Sequence, residues 1–340
     1  AVSVDPCRVA SSIKSGHMTT KIEVRPDGVG VLTMDNKPVN SLSRSLITSF
    51  MENFPKLVAD DKVKAIVVTG AGGFFCGGFD IMEFGQLIAQ GPDGFKDVPA
   101  TEPVHNLIDM IDASPKTVVA AVNGQALGGG LEVALGCHYR VIAPKAAVAF
   151  PEVQLGLLPG GEGTQRIFRV APLEVALPML LTGMQVKADR AKKVGVVDAV
   201  ASGGVVDEAA TLALSKPPAP ISKRPVPKAS RFKARAGGLE MALNQAMNSV
   251  KGMVAPASII KCAEAACGQG SFQEGLKVEG REFTKLLFSV QSGALRHLFF
   301  AQGMTTKIPG LKAAPAPLKK VGILGAGLMG GGIAICCVQK

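Results

Sequence analysis

Early in the chain, apolar and polar residues alternate, and short runs of β-branched residues follow. The alternation from Lys21 to Met34 is interrupted by Pro26-Asp27-Gly28, a combination typical of turns, and this pattern predicts a β-hairpin. Short apolar runs bounded by glycine or charge are typical of strands that are buried on both faces. Such buried strands are predicted at 65–69, 118–122, 141–143 and 147–150.

Helical periodicity occupies segments between and after these strands. Ser43 is a typical helix-capping residue, and the apolar spacing after it predicts a helix that extends through Leu57. Between 239 and 302, apolar residues recur at helical spacing with charges between them, which predicts a helical region. The proline-rich stretch 217–228 predicts a linker or a surface excursion, because proline lacks the backbone donor that helices and central strands need. Strands that alternate with helices indicate the α/β class.

The composition narrows the classes of function. With 37 Lys and Arg against 27 Asp and Glu, the net charge of +10 attracts polyanions such as phosphorylated small molecules, nucleic acid or membrane surfaces. Nucleic acid is disfavoured, because the chain has no Trp, one Tyr and no aromatic residues interleaved with its basic ones. The seven cysteines lack the paired spacing of a zinc site, so we predict no metal site. They also lack the regular spacing of a disulfide scaffold, so we expect a reducing, intracellular compartment. No apolar stretch reaches the about 18 residues of a membrane span, so no transmembrane segment is predicted.

A run of glycines precedes a predicted helix in NGQALGGGLE, residues 123–132. Because glycine lacks Cβ, another backbone or a substrate can approach it closely. A helix that begins there also presents N–H groups without intrahelical acceptors and the positive end of its dipole. Two interpretations follow, either an anion or oxyanion site or the close packing of a helix on a strand. Glu132 in the first turn fits both, since a carboxylate there complements the dipole.

A second carboxylate follows 20 positions later. Glu152 stands after a predicted strand and before GLLPGGEGTQR, residues 156–166. Two carboxylates that flank one glycine-lined niche form a general acid/base pair if the chain folds back on itself. A surface position is the alternative for each glutamate taken alone.

Four separated motifs carry a resemblance to a known family. They are PVNSL at 38–42, FFCGGFDI at 74–81, NGQALGGGLEVAL at 123–135 and AFPEVQLGLLPGGEGTQR at 149–166. Over about residues 18–205 the chain resembles the enoyl-CoA hydratase/isomerase (crotonase) superfamily. Its later part, with EGLKVEGREFTKLL at 274–287, resembles the multifunctional fatty-acid β-oxidation proteins, in which a hydratase is fused to a 3-hydroxyacyl-CoA dehydrogenase. The resemblance implies a crotonase-like spiral core of ββα units with a helical C-terminal region.

The resemblance also implies a binding site for the thioester carbonyl of an acyl-CoA. In the family this oxygen is held by two backbone N–H groups. The matching residues are Phe79, which follows Gly78, and Gly129, which follows Gly128. The glycines would make room for the substrate, and the helix start would supply a donor.

The two family carboxylates match Glu132 and Glu152. By this resemblance Glu132 deprotonates the water that adds at C3, and Glu152 transfers the proton at C2. The presence of both favours hydration of trans-2-enoyl-CoA to 3-hydroxyacyl-CoA, with Δ3,Δ2-enoyl isomerisation as an accompanying activity. Hydration needs no cofactor. The sequence departs from the family pattern at Glu162, where Phe or Ala is more frequent, and this departure is expected to alter acyl-chain preference.

The end of the chain contains a dinucleotide-binding fingerprint. Gly325, Gly327 and Gly330 form G-x-G-x-x-G after a predicted strand at 321–324 and before a predicted helix. The acidic residue that completes such a site stands about 20 positions further on, beyond Lys340. We therefore expect residues 319–340 to be the truncated start of a Rossmann domain, with NAD as the cofactor of the parent protein's dehydrogenase.

These expectations divide the chain into four segments. They are a disordered leader at 1–17, the hydratase core at 18–205, a linker and helical region that completes it at 206–318, and the incomplete NAD-binding domain at 319–340. The expected partner is an acyl-CoA substrate. The resemblance implies a trimer for a hydratase alone and a monomer or dimer for a fused protein. It favours the peroxisome, with the mitochondrion and the bacterial cytoplasm as alternatives.

Two other functions stay open on the sequence. A different crotonase chemistry, either acyl-CoA hydrolysis or isomerisation alone, is one of them, although the paired Glu132 and Glu152 count against it. A non-catalytic scaffold that binds acyl-CoA or RNA is the other, and the net positive charge of the chain is its only support.

Overall fold

The computed structural model describes residues 19–89, 91, 101–226, 251–268, 270–305 and 320–338. The predicted leader at 1–17 lies outside these residues, as does the part of the predicted helical region at 239–250. The described residues fall into two compact units, and the division comes after Leu298.

Two sheets lie within the described part of the first unit. Their strands are β1 (Thr20–Val24), β2 (Val29–Met34), β3 (Ala65–Gly70), β4 (Phe74–Cys76), β5 (Thr117–Val122), β6 (Gln125–Leu127), β7 (Tyr139–Ile142), β8 (Ala147–Ala149), β9 (Val186–Lys187) and β10 (Ala199–Val200). The larger sheet has the order β1-β2-β3-β5-β7-β10 and is parallel from β2 onward. The smaller sheet has the order β4-β6-β8-β9, in which β9 alone is antiparallel to its neighbour. The predicted α/β class is confirmed.

The α-helices of the described residues lie between and after these strands along the chain. They are α1 (Arg44–Ala59), α2 (Phe84–Ala89), α3 (Glu102–Asp112), α4 (Gly129–Gly136), α5 (Gly163–Arg166), α6 (Leu173–Thr182), α7 (Ala188–Lys193), α8 (Val205–Ser215), α9 (Ala255–Cys267), α10 (Phe272–Leu287), α11 (Val290–Thr305) and α12 (Leu328–Val338). In the described part of the chain, none of them combines the length and the apolar character that a bilayer crossing requires.

The predicted hairpin and the first predicted helix are confirmed. β1 pairs antiparallel with β2, and Gly28 in the turn has a φ of 84°, which favours glycine. The Asp27 carboxylate accepts the N–H of Val29 at 3.1 Å and closes the turn. Ser43 caps α1, since its hydroxyl accepts the N–H of Leu46 at 3.3 Å.

The larger sheet is covered on both faces, which explains the continuous apolar runs of its strands. On one face, Val31, Val67 and Val119 pack against the alanines of α8, whose small side chains let the helix approach closely. The other face carries the main core, which includes side chains from α1 and α3. The main core also receives residues from α9 and α10, so the helical C-terminal region packs on the same unit.

The described part of the predicted linker, residues 217–226, is attached to this core. Ile221 is fully buried. Asp112, at the end of α3, accepts the N–H of Ile221 at 2.9 Å and the hydroxyl of Ser222. The prolines correctly indicated that regular structure is absent over most of this stretch, but a buried side chain and a carboxylate anchor it at its centre.

The second unit contains the glycine-rich end of the chain. The helix predicted after the fingerprint is α12. The prediction of a strand at 321–324 is wrong, because these residues form no strand. A strand needs a neighbour to accept and donate its backbone hydrogen bonds, and none pairs with 321–324 in the part of the chain that is described.

Candidate active site

The predicted glycine stretch forms the start of α4. β6 leads into Gly128, whose φ of 53° is positive, as glycine allows. The N–H of Gly128 donates to the carbonyl of Ala149 at the end of β8, at 2.8 Å. Gly129 is the first residue of α4, so its N–H has no acceptor within the helix. The helix therefore presents a backbone donor at its N-terminal end.

The loop after β4 brings Phe79 to this helix start. Leu42 and Phe79 form a β-bridge, and the N–H of Leu42 donates to the carbonyl of Gly78 at 2.8 Å. A Cβ on Gly78 would lie 2.8 Å from the carbonyl oxygen of Leu127 and 3.4 Å from the amide nitrogen of Gly129. A Cβ on Gly129 would in turn lie 3.0 Å from the ring of Phe79. The two residues whose N–H groups the resemblance singles out, Phe79 and Gly129, thus lie on adjacent backbone segments.

Glu132 is fully buried in the first turn of α4. Its Oε1 accepts the N–H of Gly161 at 2.7 Å and that of Gly163 at 2.8 Å. Its Oε2 is buried and has no hydrogen-bond partner among the described residues. A buried carboxylate oxygen without a donor is costly, so this atom is suited to receive a hydrogen bond from water or substrate.

Glu152 lies in the first turn of the short 3₁₀-helix Pro151–Leu155, directly after β8 and Phe150. Its Oε2 is also buried without a partner in the described part of the structure. Its Oε1 lies so close to Gly128 that a Cβ there would overlap it. Glycine at 128 is therefore required for the Glu152 carboxylate to lie beside the start of α4.

A cavity of about 70 Å³ opens at this point. Glu152 lines it together with Gly78, Phe79, Gly128 and Gly129. Its apolar wall is formed by Ile81, Leu155, Leu157, Leu158 and Phe283. Glu132 is not a lining residue, but Gly160, the neighbour of one of its donors, is. The structure thus brings the predicted residues of the first unit to one place, although Glu132 itself is not among the residues that line the cavity.

The two glutamates have different electrostatic environments. Burial raises the pKa of Glu132 to about 7, although the N–H groups of Gly163 and Gly161 stabilise its charged form. Burial, and next the negative charge of Glu132, raise the pKa of Glu152 well above its ordinary value. Glu132 accepts two backbone N–H groups, whereas the buried Oε2 of Glu152 accepts none among the described residues, so a single proton on the pair is more stable on Glu152. The site then contains one base and one acid.

Sequence reasoning missed the buried ion pairs behind the loop that donates to Glu132. The guanidinium of Arg166 is fully buried and reaches Asp112 at 2.7 Å and Glu162 at 2.6 Å. The Nδ1 atom of His105 lies 3.5 Å from Glu162. Glu162 is buried in this network and does not line the cavity, so its placement does not support the expected direct effect on acyl-chain preference.

Glu279 of α10 was also missed. It is fully buried and accepts the N–H of Glu162 at 2.7 Å and that of Thr164 at 3.1 Å. A signal was present in the sequence, because Glu279 follows Leu276 by three positions and precedes Phe283 by four. A carboxylate on the apolar stripe of a helix is buried only if it is paired.

Solved structures share the observed fold. The chain is similar to a carnitinyl-CoA dehydratase from Mycobacterium thermoresistibile, with a TM-score of 0.64 and 23% identity over 84% of this chain and 89% of that one. It is also similar to an enoyl-CoA hydratase/isomerase from Xanthobacter autotrophicus Py2, with a TM-score of 0.58 and 22% identity over 85% and 95% of the two chains. The architecture is the crotonase fold that the sequence motifs predicted.

Sequence comparison assigns the family. The profile of the enoyl-CoA hydratase/isomerase family matches residues 24–245. The chain is 39% identical over 327 residues to the glyoxysomal fatty acid β-oxidation multifunctional protein MFP-a of Cucumis sativus, covering 94% of this chain and 45% of that protein. It is 35% identical over 328 residues to the peroxisomal bifunctional enzyme of Danio rerio, covering 93% and 43%. This chain belongs to the enoyl-CoA hydratase/isomerase family, and it spans less than half the length of these relatives.

Proposed function

We propose that this chain hydrates trans-2-enoyl-CoA to 3-hydroxyacyl-CoA in fatty-acid β-oxidation. The observation that carries the proposal is a pair of glutamates, Glu132 and Glu152, each with a buried carboxylate oxygen that lacks a donor in the described structure. They accompany a helix N-terminus with a backbone donor, next to a cavity with an apolar wall. The family, and relatives named as β-oxidation proteins, support acyl-CoA as the substrate.

The backbone donors would stabilise the charge that develops during addition. When water adds to the conjugated C2–C3 double bond, electrons move onto the thioester oxygen and form an enolate. The N–H groups of Phe79 and Gly129 would donate to that oxygen, and one such donor contributes about 3 kcal/mol to the transition state. The positive end of the α4 dipole adds to this stabilisation.

The two glutamates would move the protons. The Oε2 atom of ionised Glu132 accepts a proton from water, and the water oxygen bonds to C3. The enolate then re-forms the carbonyl, and C2 takes a proton from Glu152. One water is consumed, and the excess proton returns from Glu132 to Glu152 before the next cycle.

Hydration is tested with crotonyl-CoA, whose conjugated thioester loses its absorbance when water adds. We expect turnover with formation of 3-hydroxybutyryl-CoA. Release of the free CoA thiol in place of that product would identify a hydrolase. Salt-sensitive RNA binding without turnover would identify the scaffold that the basic charge suggested.

A second activity, Δ3,Δ2-enoyl isomerisation, is favoured by one observation. Glu152 lines the cavity, whereas Glu132 does not. Isomerisation needs a single group that takes a proton from C2 and returns it to C4, so Glu152 alone would suffice. Conversion of a 3-enoyl-CoA to the conjugated isomer, seen as a rise in absorbance, measures this activity.

The substitution Gly129→Ala is expected to lower kcat/KM for hydration about tenfold to a hundredfold. The new Cβ would lie 2.9 Å from the Leu42 side chain and 3.0 Å from the ring of Phe79, so the Phe79 ring must move away from the start of α4. Steady-state kinetics with crotonyl-CoA measure the effect. Gly73→Ala is the control, because nothing lies within 4 Å of its added Cβ. Equal activity of the two variants would contradict the assignment of these donors.

We further propose, from the greater length of its relatives, that residues 319–340 begin an NAD-binding domain of a longer protein. Gly325 has a φ of 104°, and a Cβ on Gly330 would overlap the carbonyl of Gly325, so both positions need glycine. This turn lets a pyrophosphate approach the N-terminus of α12. When bound, NAD would accept a hydride from the 3-hydroxyacyl-CoA.

In the full-length protein, Gly330→Val is expected to weaken NADH binding at least tenfold and to leave hydration unchanged, because the valine side chain would displace the glycine turn. Isothermal titration calorimetry with NADH measures the binding. Gly332→Ala is the control, since nothing lies within 4 Å of its Cβ. Unaltered NADH binding by Gly330→Val would contradict the proposal.

The relatives reported above are glyoxysomal or peroxisomal proteins. We propose that the full-length protein also works in peroxisomes, and its co-localisation with a peroxisomal marker tests this. We also propose that the full-length protein is a monomer or dimer, as predicted for a fused protein. Its molecular mass in analytical ultracentrifugation tests this.

A further inference from the structure

Loop 160–164 supplies the two backbone donors that hold Glu132. The N–H groups of Gly161 and Gly163 converge on Oε1 at 2.7 and 2.8 Å. Alternate N–H groups of one segment can converge on a single anion only in a particular backbone conformation. The direction of the Glu132 carboxylate therefore depends on the conformation of the whole loop.

Glu279 holds the other two N–H groups of the same loop. Its Oε1 accepts the N–H of Glu162 at 2.7 Å, and its Oε2 accepts the N–H of Thr164 at 3.1 Å. The hydroxyl of Thr164 also donates to Oε2. Four consecutive N–H groups are thus shared alternately between a carboxylate of α4 and a carboxylate of α10, which lie 147 positions apart in the chain.

This sharing maintains a backbone conformation that the sequence alone does not favour. Glu162 has a φ of 73° and a ψ of 1°, in the left-handed region, which costs a non-glycine residue about 1 kcal/mol or more. Its N–H is held by Glu279 and its side chain by Arg166. Glu279 therefore accepts two of the hydrogen bonds that hold the donors of Glu132 in this conformation.

We propose that Glu279 is a positioning residue, which fixes the direction and the basicity of Glu132 through loop 160–164. It does not line the cavity, and both of its carboxylate oxygens accept hydrogen bonds from the loop. The effect of Glu279 on kcat rests on the proposed hydration, whereas its effect on the direction and the pKa of the Glu132 carboxylate does not. It therefore extends the active site to the helical C-terminal region, which the family profile, ending at residue 245, does not reach.

Charged groups face Glu132 from each element around it. They are Glu152 of the 3₁₀-helix, Glu162 and Arg166 at α5, and Glu279 of α10. Burial, and next the negative charge of Glu132, raise the pKa of Glu279 well above its ordinary value. Replacing Glu279 by glutamine removes an acceptor oxygen together with the charge of its ionised form, and these two changes shift the pKa of Glu132 in opposite directions. Since glutamine has one acceptor oxygen, one of the two loop N–H groups loses its acceptor.

The experiment compares Glu279→Gln with Glu282→Gln. Glu282 lies on the same helix and is buried, but it accepts the hydroxyl of Ser258 at 2.7 Å and does not contact the loop. The pKa of Glu132 is measured by carbon NMR of protein labelled at the glutamate carboxyl carbons, with its signal assigned from the Glu132→Gln variant. Hydration kinetics are measured on the same proteins.

We expect Glu279→Gln to raise the pKa of Glu132 by about one unit, because the N–H groups of Gly163 and Gly161 are the strongest influences that lower this pKa and they move with the loop. Loss of the Glu279 charge alone would lower the pKa of Glu132, so a lowered value would overturn the positioning role. We expect kcat to fall about tenfold while KM stays within about twofold. Glu282→Gln should change none of these values. Thr164→Val, which removes one donor to Glu279 and keeps the volume, should cause a smaller rise of the Glu132 pKa and keeps the test available if Glu279→Gln does not fold.

An unchanged Glu132 pKa in Glu279→Gln, or in Thr164→Val if Glu279→Gln does not fold, would overturn the positioning role. Equal losses of kcat in the Glu279 and Glu282 variants would also overturn it, because they would show an effect of stability alone. Absence of hydration by the unaltered protein would instead refute the proposed function, and the Glu132 titration would still decide the role of Glu279.

Discussion

The substitution Glu152→Gln is expected to lower kcat for hydration by about a hundredfold to ten-thousandfold and to abolish isomerisation. The glutamine amide has nearly the same shape as the carboxyl but cannot deliver a proton to C2. The effect should fall on kcat more than on KM, because the donors that we propose for the thioester, Phe79 and Gly129, are unchanged. Crotonyl-CoA hydration and 3-enoyl-CoA isomerisation measure the two activities.

This loss should occur without a loss of stability. The pKa of Glu152 is raised in the folded protein, so its ionisation costs stability as pH rises above the unfolded-state value. Glutamine carries no such cost, and the melting temperature of the variant at pH 8 should equal or exceed that of the unaltered protein. Glu282→Gln, which changes a buried glutamate outside the site, is the control and should leave kcat unchanged. A Glu152→Gln protein with more than a tenth of the normal kcat would remove Glu152 from the mechanism.

The substitution Glu132→Gln is expected to lower kcat for hydration by a similar factor, about a hundredfold to ten-thousandfold. Isomerisation should stay within about tenfold, because no water has to be activated and Glu152 remains. The glutamine oxygen can still accept the N–H groups of Gly161 and Gly163, so the loop should keep its conformation. Parallel assays of both activities measure this separation, and an equal loss of both would contradict the separate roles of the two glutamates.

The pH dependence provides a second test of the same pair. In the unaltered protein, kcat/KM for hydration should rise through about pH 7 as Glu132 ionises and fall at higher pH as Glu152 loses its proton. The free energy of unfolding should fall between about pH 4.5 and 7, because ionisation of a carboxyl whose pKa is raised in the folded state destabilises the fold. In Glu132→Gln the acidic limb of isomerisation should move to lower pH, because the charge that raises the pKa of Glu152 is gone. An unmoved limb would contradict the coupling.

The strands that could be predicted from the sequence are those whose local pattern reports burial directly. β3 and β5 are covered on both faces, so nearly every residue is apolar, and the predicted and observed bounds differ by one residue at one end. Residues 321–324 have a similar pattern but form no strand. An apolar run indicates that a segment can be buried, whereas a strand also requires a neighbour, and the run itself contains no information about that neighbour.

The candidate site divides in the same way. Gly128, Gly129, Glu132 and Glu152 could be singled out because their motifs are continuous in sequence. Glu279 could not be assigned a role, because its partner Glu162 lies 117 positions earlier in the chain. No local pattern reports a hydrogen bond between such distant residues.

The sequence by itself determined the α/β class, the hairpin, the buried strands and the family, because each depends on local propensity or on a continuous motif. Only the tertiary structure decided which oxygen of each glutamate lacks a donor and which groups shift their pKa. It also decided that a carboxylate from the C-terminal helices holds the loop behind Glu132. The physical reason is that burial and hydrogen-bond partnership depend on the packing of distant segments, which the order of residues along any one segment does not specify.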